Sequence, residues 1–148
     1  TEIVTEQEAV GSGLGILIVA TTTTGCRLAG SALGTPKKKA KEAGIEAAEE
    51  LFHTLQDGGC VDEWLQDQLI LYAALAKGKS EILTGSLTLH TQTAIWIAEE
   101  MTEAKFKVTK LDARPDSVAN DNKYGKDGRI PGKHLIQCQG IGFINKEL

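Results

Sequence analysis

The sequence predicts a mixed α/β sandwich built in two pieces. Three observations support this fold class: a run of branched apolar residues near the start, stretches in which apolar residues recur at helical spacing, and short alternating runs between them. The 148 residues are 41% apolar and 24% charged, a composition typical of a folded domain. The predicted order of elements is ββα followed by αβαββ.

The first predicted piece is a β-hairpin followed by a helix. Residues 14–24 (LGILIVATTTT) are the most β-prone part of the chain, and the alternating run 26–32 suits the second strand of a hairpin. Thr35 followed by Pro36 is typical of a helix start. We therefore expect a helix from this pair to about Asp57.

Two glycines, Gly58 and Gly59, stop that helix and mark the best internal boundary. A second helix is predicted over residues 62–76. Its apolar stripe is expected to comprise Val61, Leu65, Leu69 and Ala73.

Strands and helices are then predicted in alternation. The expected elements are a helix-closing turn at 77–80, a strand at 81–89 interrupted at Gly85, a helix from His90 to about Ala104, a strand at 105–111, a polar loop at 112–132, a strand at 134–138 and a turn at 139–142. The polar loop is rich in Asp, Asn and Gly, and we expect it to be mobile.

The charge balance limits the partners. A net charge of −4 argues against a whole surface built for nucleic acid, so any such contact must come from a local basic patch. One basic run comprises Lys37, Lys38, Lys39 and Lys41, at the helix end where the dipole disfavours cations. We interpret it as a solvated face; an RNA-phosphate patch is the alternative.

Cysteine usage and the ends of the chain bear on the compartment. Three cysteines, Cys26, Cys60 and Cys138, are odd in number and widely spaced, so we expect reduced, buried, intracellular thiols instead of disulfides or a zinc site. No apolar run approaches the length of a membrane span, and no secretory signal opens the chain. The first residue is Thr1 and not Met, which suggests a fragment, a processed chain or a trimmed one.

One histidine stands out as a candidate for chemistry. His90 lies in the turn between a predicted strand and helix, where unpaired backbone N–H groups suit an anion. His53 lies within a helix and is most simply a surface or core-edge residue, and His134 opens a strand with no obvious partner. The sequence contains no nucleophile-elbow serine, CxxC or HExxH motif. His90 is thus the catalytic candidate by elimination, with a structural helix-start histidine as the alternative.

A face of the second helix carries a second set of polar candidates. Trp64, Asp67 and Gln68 recur at helical spacing and combine an aromatic, a carboxylate and an amide. From the residues alone, a partly exposed polar flank with Trp64 at the core edge is the simpler interpretation. The path from Asp67 to His90 comprises one helix end, one strand and one turn, which can return the chain to the same edge of the sheet.

Several segments together resemble a known family. Residues 60–70 (CVDEWLQDQLI), 87–95 (LTLHTQTAI) and 138–142 (CQGIG) strongly resemble the C-terminal part of eukaryotic RNA 3′-terminal phosphate cyclases, and 23–34 and 44–49 fit the same family. The resemblance covers nearly the whole chain and fails mainly at 112–132. It implies a large domain of three similar α/β units with a smaller inserted α/β domain. Residues 1–58 would end the insert, and residues 59–148 would form the last unit of the large catalytic domain.

The resemblance also implies a reaction. Family members use ATP to convert an RNA 3′-phosphate into a 2′,3′-cyclic phosphodiester through a covalent histidine–AMP intermediate. The nucleophile would be His90, and Trp64, Asp67 and Gln68 would belong to the nucleotide site. Trp64 would stack on adenine, Asp67 would orient the imidazole or hold a divalent metal (Mg or Mn), and Gln68 would bond to base or ribose. No set of metal ligands is assigned.

The resemblance implies further expectations and leaves alternatives. We expect RNA 3′-phosphate ends, ATP and the N-terminal part of the same protein as partners, no membrane, and a location in the nucleus with the cytoplasm as a second compartment. Relatives commonly carry tyrosine at the position of Trp64. Because N-terminal units supply further contacts, residues 1–148 alone are expected to be inactive. The alternatives are a non-catalytic cyclase-like factor in ribosomal RNA processing, which generally lacks the nucleophile, and a structural α/β domain.

Overall fold

The computed structural model describes residue 3, residues 13–112 and residues 128–144. In chain order its elements are β1 (Gly15–Thr21), β2 (Arg27–Leu33), α1 (Ala40–Asp57), α2 (Glu63–Leu75), β3 (Lys77–Thr84), α3 (Leu89–Met101), β4 (Lys105–Asp112) and β5 (Lys133–Ile141). The predicted α/β class is confirmed, and the predicted order ββα then αβαββ agrees with the observed one. Most of the predicted polar loop, residues 113–127, lies outside the described residues.

The first piece is the predicted hairpin with a helix packed against it. β1 and β2 pair antiparallel from Gly15 opposite Leu33 to Thr21 opposite Arg27. The small core between hairpin and helix comprises Ala32, Ala43 and Ala47 with Ile18 packed beside them. Gly30 allows a close approach of α1, since a Cβ there would overlap the carbonyl oxygen of Ala47.

α1 begins later than the sequence predicts. Residues 35–38 form a turn in which the amide of Lys38 donates to the carbonyl of Thr35 at 3.0 Å. Lys39 is extended (φ −68°, ψ 149°), and its amide donates to Oε2 of Glu42 at 3.1 Å. This carboxylate satisfies an amide at the helix start, which Thr35 was expected to do. The predicted end is right: Gly58 follows Asp57 with φ 65°.

The second piece is a three-stranded antiparallel sheet in the order β3-β5-β4. Ile82 of β3 and Val108 of β4 both lie opposite Ile136 of β5. α2 and α3 pack together and against this sheet. The buried core comprises Ile70, Ala73, Ala74, Ile82, Leu87, Ala98, Ala104, Ile136 and Cys138.

Several boundaries in this piece differ from the prediction. The strand predicted over residues 81–89 ends at Thr84, and Leu89 begins α3 because the chain turns at residues 85–88. Residues 77–80 are strand and not a closing turn, because they pair with residues 138–141 of β5. For the same reason β5 continues to Ile141 instead of turning at 139. α3 ends at Met101, three residues before the predicted end, where the chain turns into β4.

The buried stripe of α2 is also rotated from its predicted position. The buried residues are Gln66, Ile70, Ala73 and Ala74. Leu65, expected in the stripe, is 41% exposed. α2 turns this stripe toward the core that it shares with α3 and the sheet, so a polar residue, Gln66, lies in the row that is buried.

Membrane spans, the cysteines and the domain assignment are the remaining points of the fold. Within the described ranges, no helix combines the length and apolarity that a membrane span requires. Cys26, Cys60 and Cys138 are free cysteines; Cys138 is buried as predicted, whereas Cys26 and Cys60 are partly exposed. The assignment of residues 1–58 to an inserted domain and of residues 59–148 to a catalytic domain stays a prediction.

Candidate active site

The predicted strand-to-helix turn is present, and it exposes His90 at the start of α3. Thr88 is the N-cap, and its Oγ1 accepts a hydrogen bond from the amide of Thr91 at 3.1 Å. His90 is the second helical residue, and its side chain is 83% exposed. Within the part of the chain that the structure describes, the amides of Leu89 and His90 donate no hydrogen bond to the protein. This helix start therefore presents donors and an imidazole to solvent.

The structure brings His90 together with Asp67, as the spacing predicted. Nδ1 of His90 lies 3.8 Å from Oδ2 of Asp67, whose side chain is 29% exposed. The distance is longer than a hydrogen bond, and it places the ring beside a negative charge. A neutral ring protonated on Nδ1 carries its lone pair on Nε2. In that tautomer Nε2, and not Nδ1, is the nitrogen that can act as a nucleophile.

Trp64 and Gln68 lie on the same helix as Asp67 and on the face predicted for them. The indole of Trp64 is 64% exposed, so it is not the core-edge residue of the simpler interpretation. Nε2 of Gln68 donates to the carbonyl oxygen of Trp64, one turn earlier, at 2.9 Å. This bond draws the amide back along α2 and leaves its Oε1 as the atom that a ligand would meet.

A buried residue that the sequence did not single out joins the two helices of the site. Gln66 is 1% exposed and contacts the turn before α3 through both atoms of its amide. Its place in the row of Ile70, Ala73 and Ala74 was the available signal, since a glutamine in a buried stripe must find hydrogen-bond partners. The expected stripe was rotated, and so Gln66 was missed.

A short segment, residues 128–132, lies beside the turn. Leu87 and Ile130 exchange two backbone hydrogen bonds of 2.9 Å each. Nε2 of Gln92 donates to the carbonyl of Gly128 at 3.0 Å, and the guanidinium of Arg129 forms an ion pair with Glu63 in the first turn of α2. This part of the predicted polar loop is thus fastened to both helices of the site.

The remaining histidines and thiols do not join the site. His53 is exposed on α1 and makes an edge contact with Phe52. His134 does have partners, contrary to expectation: it is buried, with Nδ1 3.1 Å from the carbonyl oxygen of Gly85 and 2.9 Å from that of Gly132. Burial raises the pKa of the Cys138 thiol, which makes it a poor nucleophile.

The site offers few metal ligands. Within the described ranges, no three His, Cys, Asp or Glu side chains cluster as a metal site would require. Glu63, one turn before Asp67, is engaged by Arg129. In the basic run, Lys38 forms an ion pair with Glu46. The other three lysines, Lys37, Lys39 and Lys41, are exposed, as a solvated face would be.

These features describe a mixed α/β protein in which a histidine at a helix start lies beside a carboxylate of a neighbouring helix. The family model for RNA 3′-terminal phosphate cyclase matches residues 6–108, which include Trp64, Asp67, Gln68 and His90. The chain therefore belongs to the RNA 3′-terminal phosphate cyclase family, as the resemblance implied.

Individual relatives agree. The chain is 39% identical to a Drosophila melanogaster protein named RNA 3′-terminal phosphate cyclase, over 95% of this chain and 34% of the relative. It is 37% identical to one of the same name from Pyrobaculum neutrophilum, over 96% of this chain and 35% of the relative. A Dictyostelium discoideum protein named "Probable RNA 3'-terminal phosphate cyclase" is 43% identical over 93% of this chain and 29% of the relative. The chain thus spans about a third of the length of these relatives.

Proposed function

We propose that the protein containing this chain uses ATP to convert an RNA 3′-terminal phosphate into a 2′,3′-cyclic phosphodiester, with His90 as the nucleophile. The names of the relatives support the overall reaction. The observation that carries the role of His90 is its geometry: an exposed imidazole at the start of α3, with Nδ1 3.8 Å from the Asp67 carboxylate.

In the first proposed step, the lone pair of His90 Nε2 attacks the α-phosphorus of ATP. A P–N bond forms while the bond from the α-phosphorus to the bridging oxygen breaks, and pyrophosphate leaves. The ring gains positive charge because its proton stays on Nδ1, beside the Asp67 carboxylate. Asp67 stabilises that charge by Coulomb attraction, which suits a reaction that depends mainly on positioning and electrostatics.

In the following steps AMP passes to the RNA. An oxygen of the RNA 3′-phosphate attacks the phosphorus held on His90, the P–N bond breaks, and the imidazole returns to its neutral form. The neighbouring 2′-hydroxyl then attacks the 3′-phosphorus, loses its proton to water and displaces AMP. The ring closure is intramolecular, so it gains the rate advantage of a nucleophile held in place.

The side chains of α2 fit a nucleotide. An exposed indole such as that of Trp64 stacks on a base for about 1–3 kcal/mol. The Oε1 atom of Gln68 can accept from the adenine amino group or a ribose hydroxyl. The helix-start amides of Leu89 and His90 suit phosphate oxygens.

Among the described residues, the site provides one carboxylate, that of Asp67, for a divalent cation. Mg²⁺ is usually bound by one or two carboxylates together with substrate phosphates and water, and Asp67 is the carboxylate next to His90. When bound, Mg²⁺ or Mn²⁺ would neutralise phosphate charge. Asp67 would then divide its charge between the cation and the imidazole.

Label transfer tests the nucleophile. The full-length protein is incubated with ATP labelled at the α-phosphate and a divalent cation, then denatured. Label should stay on the wild type and on His53→Ala, a control that removes an exposed histidine of α1, and be absent from His90→Ala. Equal labelling of all three would refute the assignment.

The isolated chain should show little or no cyclisation, because it spans about a third of its relatives.

We also propose that the protein acts in the nucleus, with the cytoplasm as a second compartment, because its substrates would be RNA 3′ ends made during RNA processing. Fluorescence microscopy of the tagged full-length protein tests this. Nuclear signal above that of the tag alone is expected, and exclusion from the nucleus would contradict it.

A further inference from the structure

Gln66 carries a buried amide whose hydrogen-bonding capacity is completely used. Nε2 donates to Oγ1 of Thr84 and to the carbonyl of Ser86, the latter at 3.2 Å. Oε1 accepts from the amide of Thr88 at 3.0 Å and from Oγ1 of Thr91 at 2.7 Å. A glutamine amide has two N–H donors and two acceptor lone pairs, so all four are satisfied.

The partners of Gln66 surround the turn that presents His90. Thr84 ends β3, Ser86 lies in the turn, Thr88 caps α3, and Thr91 directly follows His90. Gln66 itself directly precedes Asp67 on α2. The side chain of Gln66 thus connects α2, which carries Asp67, to the residues before and after His90.

We propose that Gln66 is a positioning residue, which sets the register of α3 relative to α2 and so the separation of His90 from Asp67. The proposal rests on the proposed function for its catalytic consequence. Its structural content is independent: apolar side chains of similar volume can repack, whereas a fully satisfied buried hydrogen-bond network specifies one geometry of the two helices. Gln66 is 1% exposed, so it acts through the turn and does not contact substrate.

Gln66→Met tests the proposal. Methionine fills a similar volume and deletes all four hydrogen bonds. At saturating labelled ATP, single-turnover transfer to His90 should slow by about 10- to 100-fold with the KM for ATP nearly unchanged, because a misplaced nucleophile costs rate. Thr91→Val removes one of the four bonds and should slow transfer less.

A matched variant separates positioning from general destabilisation. Ile136→Ala truncates a 1%-exposed residue of β5 in the same core without touching the network. Compared at equal distances below their melting temperatures, Ile136→Ala should transfer label at nearly the wild-type rate. Equal slowing in Ile136→Ala and Gln66→Met would overturn the proposal, as would a rise in KM with kcat unchanged.

Hydrogen exchange provides a test that does not depend on activity. The amides of Thr88 and Thr91 should exchange faster in Gln66→Met, while that of Ile82 in β3 should keep its wild-type rate. Unchanged exchange at Thr88 and Thr91 would refute positioning even if the enzyme is active. Absence of label on the wild type would instead refute the proposed function and leave the exchange result to decide the role of Gln66.

Discussion

Nδ1 of His90, on α3, lies 3.8 Å from Oδ2 of Asp67, on α2. The two residues are separated by the end of one helix, a whole strand and a turn. Their proximity turns one ring nitrogen toward a negative charge and leaves the other toward solvent.

Asp67→Asn should slow the covalent step. The amide keeps the shape of the side chain but removes the charge that stabilises the ring during attack. We expect single-turnover transfer at saturating ATP to be about tenfold slower in Asp67→Asn, which corresponds to a loss of about 1.4 kcal/mol of transition-state stabilisation. Glu100→Gln removes an exposed carboxylate near the other end of α3 and is the control. Equal rates for wild type and Asp67→Asn would contradict the role of the carboxylate.

Trp64→Ala should weaken ATP binding more than it slows chemistry. Loss of one stacking contact of about 1–3 kcal/mol raises Kd by about 5- to 150-fold. Trp64→Tyr keeps an aromatic face and should bind nearly as tightly as the wild type. Fluorescence titration or calorimetry with a non-hydrolysable ATP analogue measures both. A Kd for Trp64→Ala within twofold of the wild type would rule out stacking.

Two glycines of the first piece should respond to alanine with opposite signs. Gly30→Ala forces a methyl group into the carbonyl of Ala47, so overpacking should lower the free energy of unfolding by about 1–3 kcal/mol. Gly44→Ala, in the interior of α1 with open space around it, should raise it by about 0.5–1 kcal/mol. Urea unfolding of both variants measures the difference. Similar stabilities would contradict the close packing of α1 on β2.

Arg129→Gln should loosen the segment 128–132 next to the site. The ion pair of Arg129 with Glu63 joins this segment to α2, and both side chains are at least three-quarters buried. Its loss should increase by several-fold the rate at which a protease of broad specificity cleaves the segment 128–132, with little change in cleavage at the turn between β1 and β2. Unaltered cleavage would mean that the Leu87–Ile130 bonds and Gln92 suffice to hold the segment.

Short-range signals were sufficient for much of the fold and for part of the site. The turn before α3 was predictable because a branched apolar run and a helical repeat meet at His90. Gly58 likewise ended α1 through its left-handed conformation. Residues 77–80 were misassigned because their strand identity comes from pairing with β5, a contact that no local pattern of small and charged residues reveals.

The least predictable residue was Gln66. Exposure of a polar helix residue is the usual outcome, and its burial depends on four partners spread from Thr84 to Thr91. Those partners come into reach only after β3 has returned the chain to α2. The same holds for Gln92, whose amide binds the carbonyl of Gly128 across a long stretch of chain.

The most direct test of His90 as the carrier of AMP is to find the modified atom. The full-length protein is treated with ATP and a divalent cation, digested under alkaline conditions that preserve phosphoramidates, and sequenced by tandem mass spectrometry. AMP is expected on His90, with phosphorus NMR of the labelled protein indicating attachment at Nε2. AMP on a lysine or on another histidine, or an unmodified His90 in a protein that cyclises RNA, would contradict the proposed mechanism.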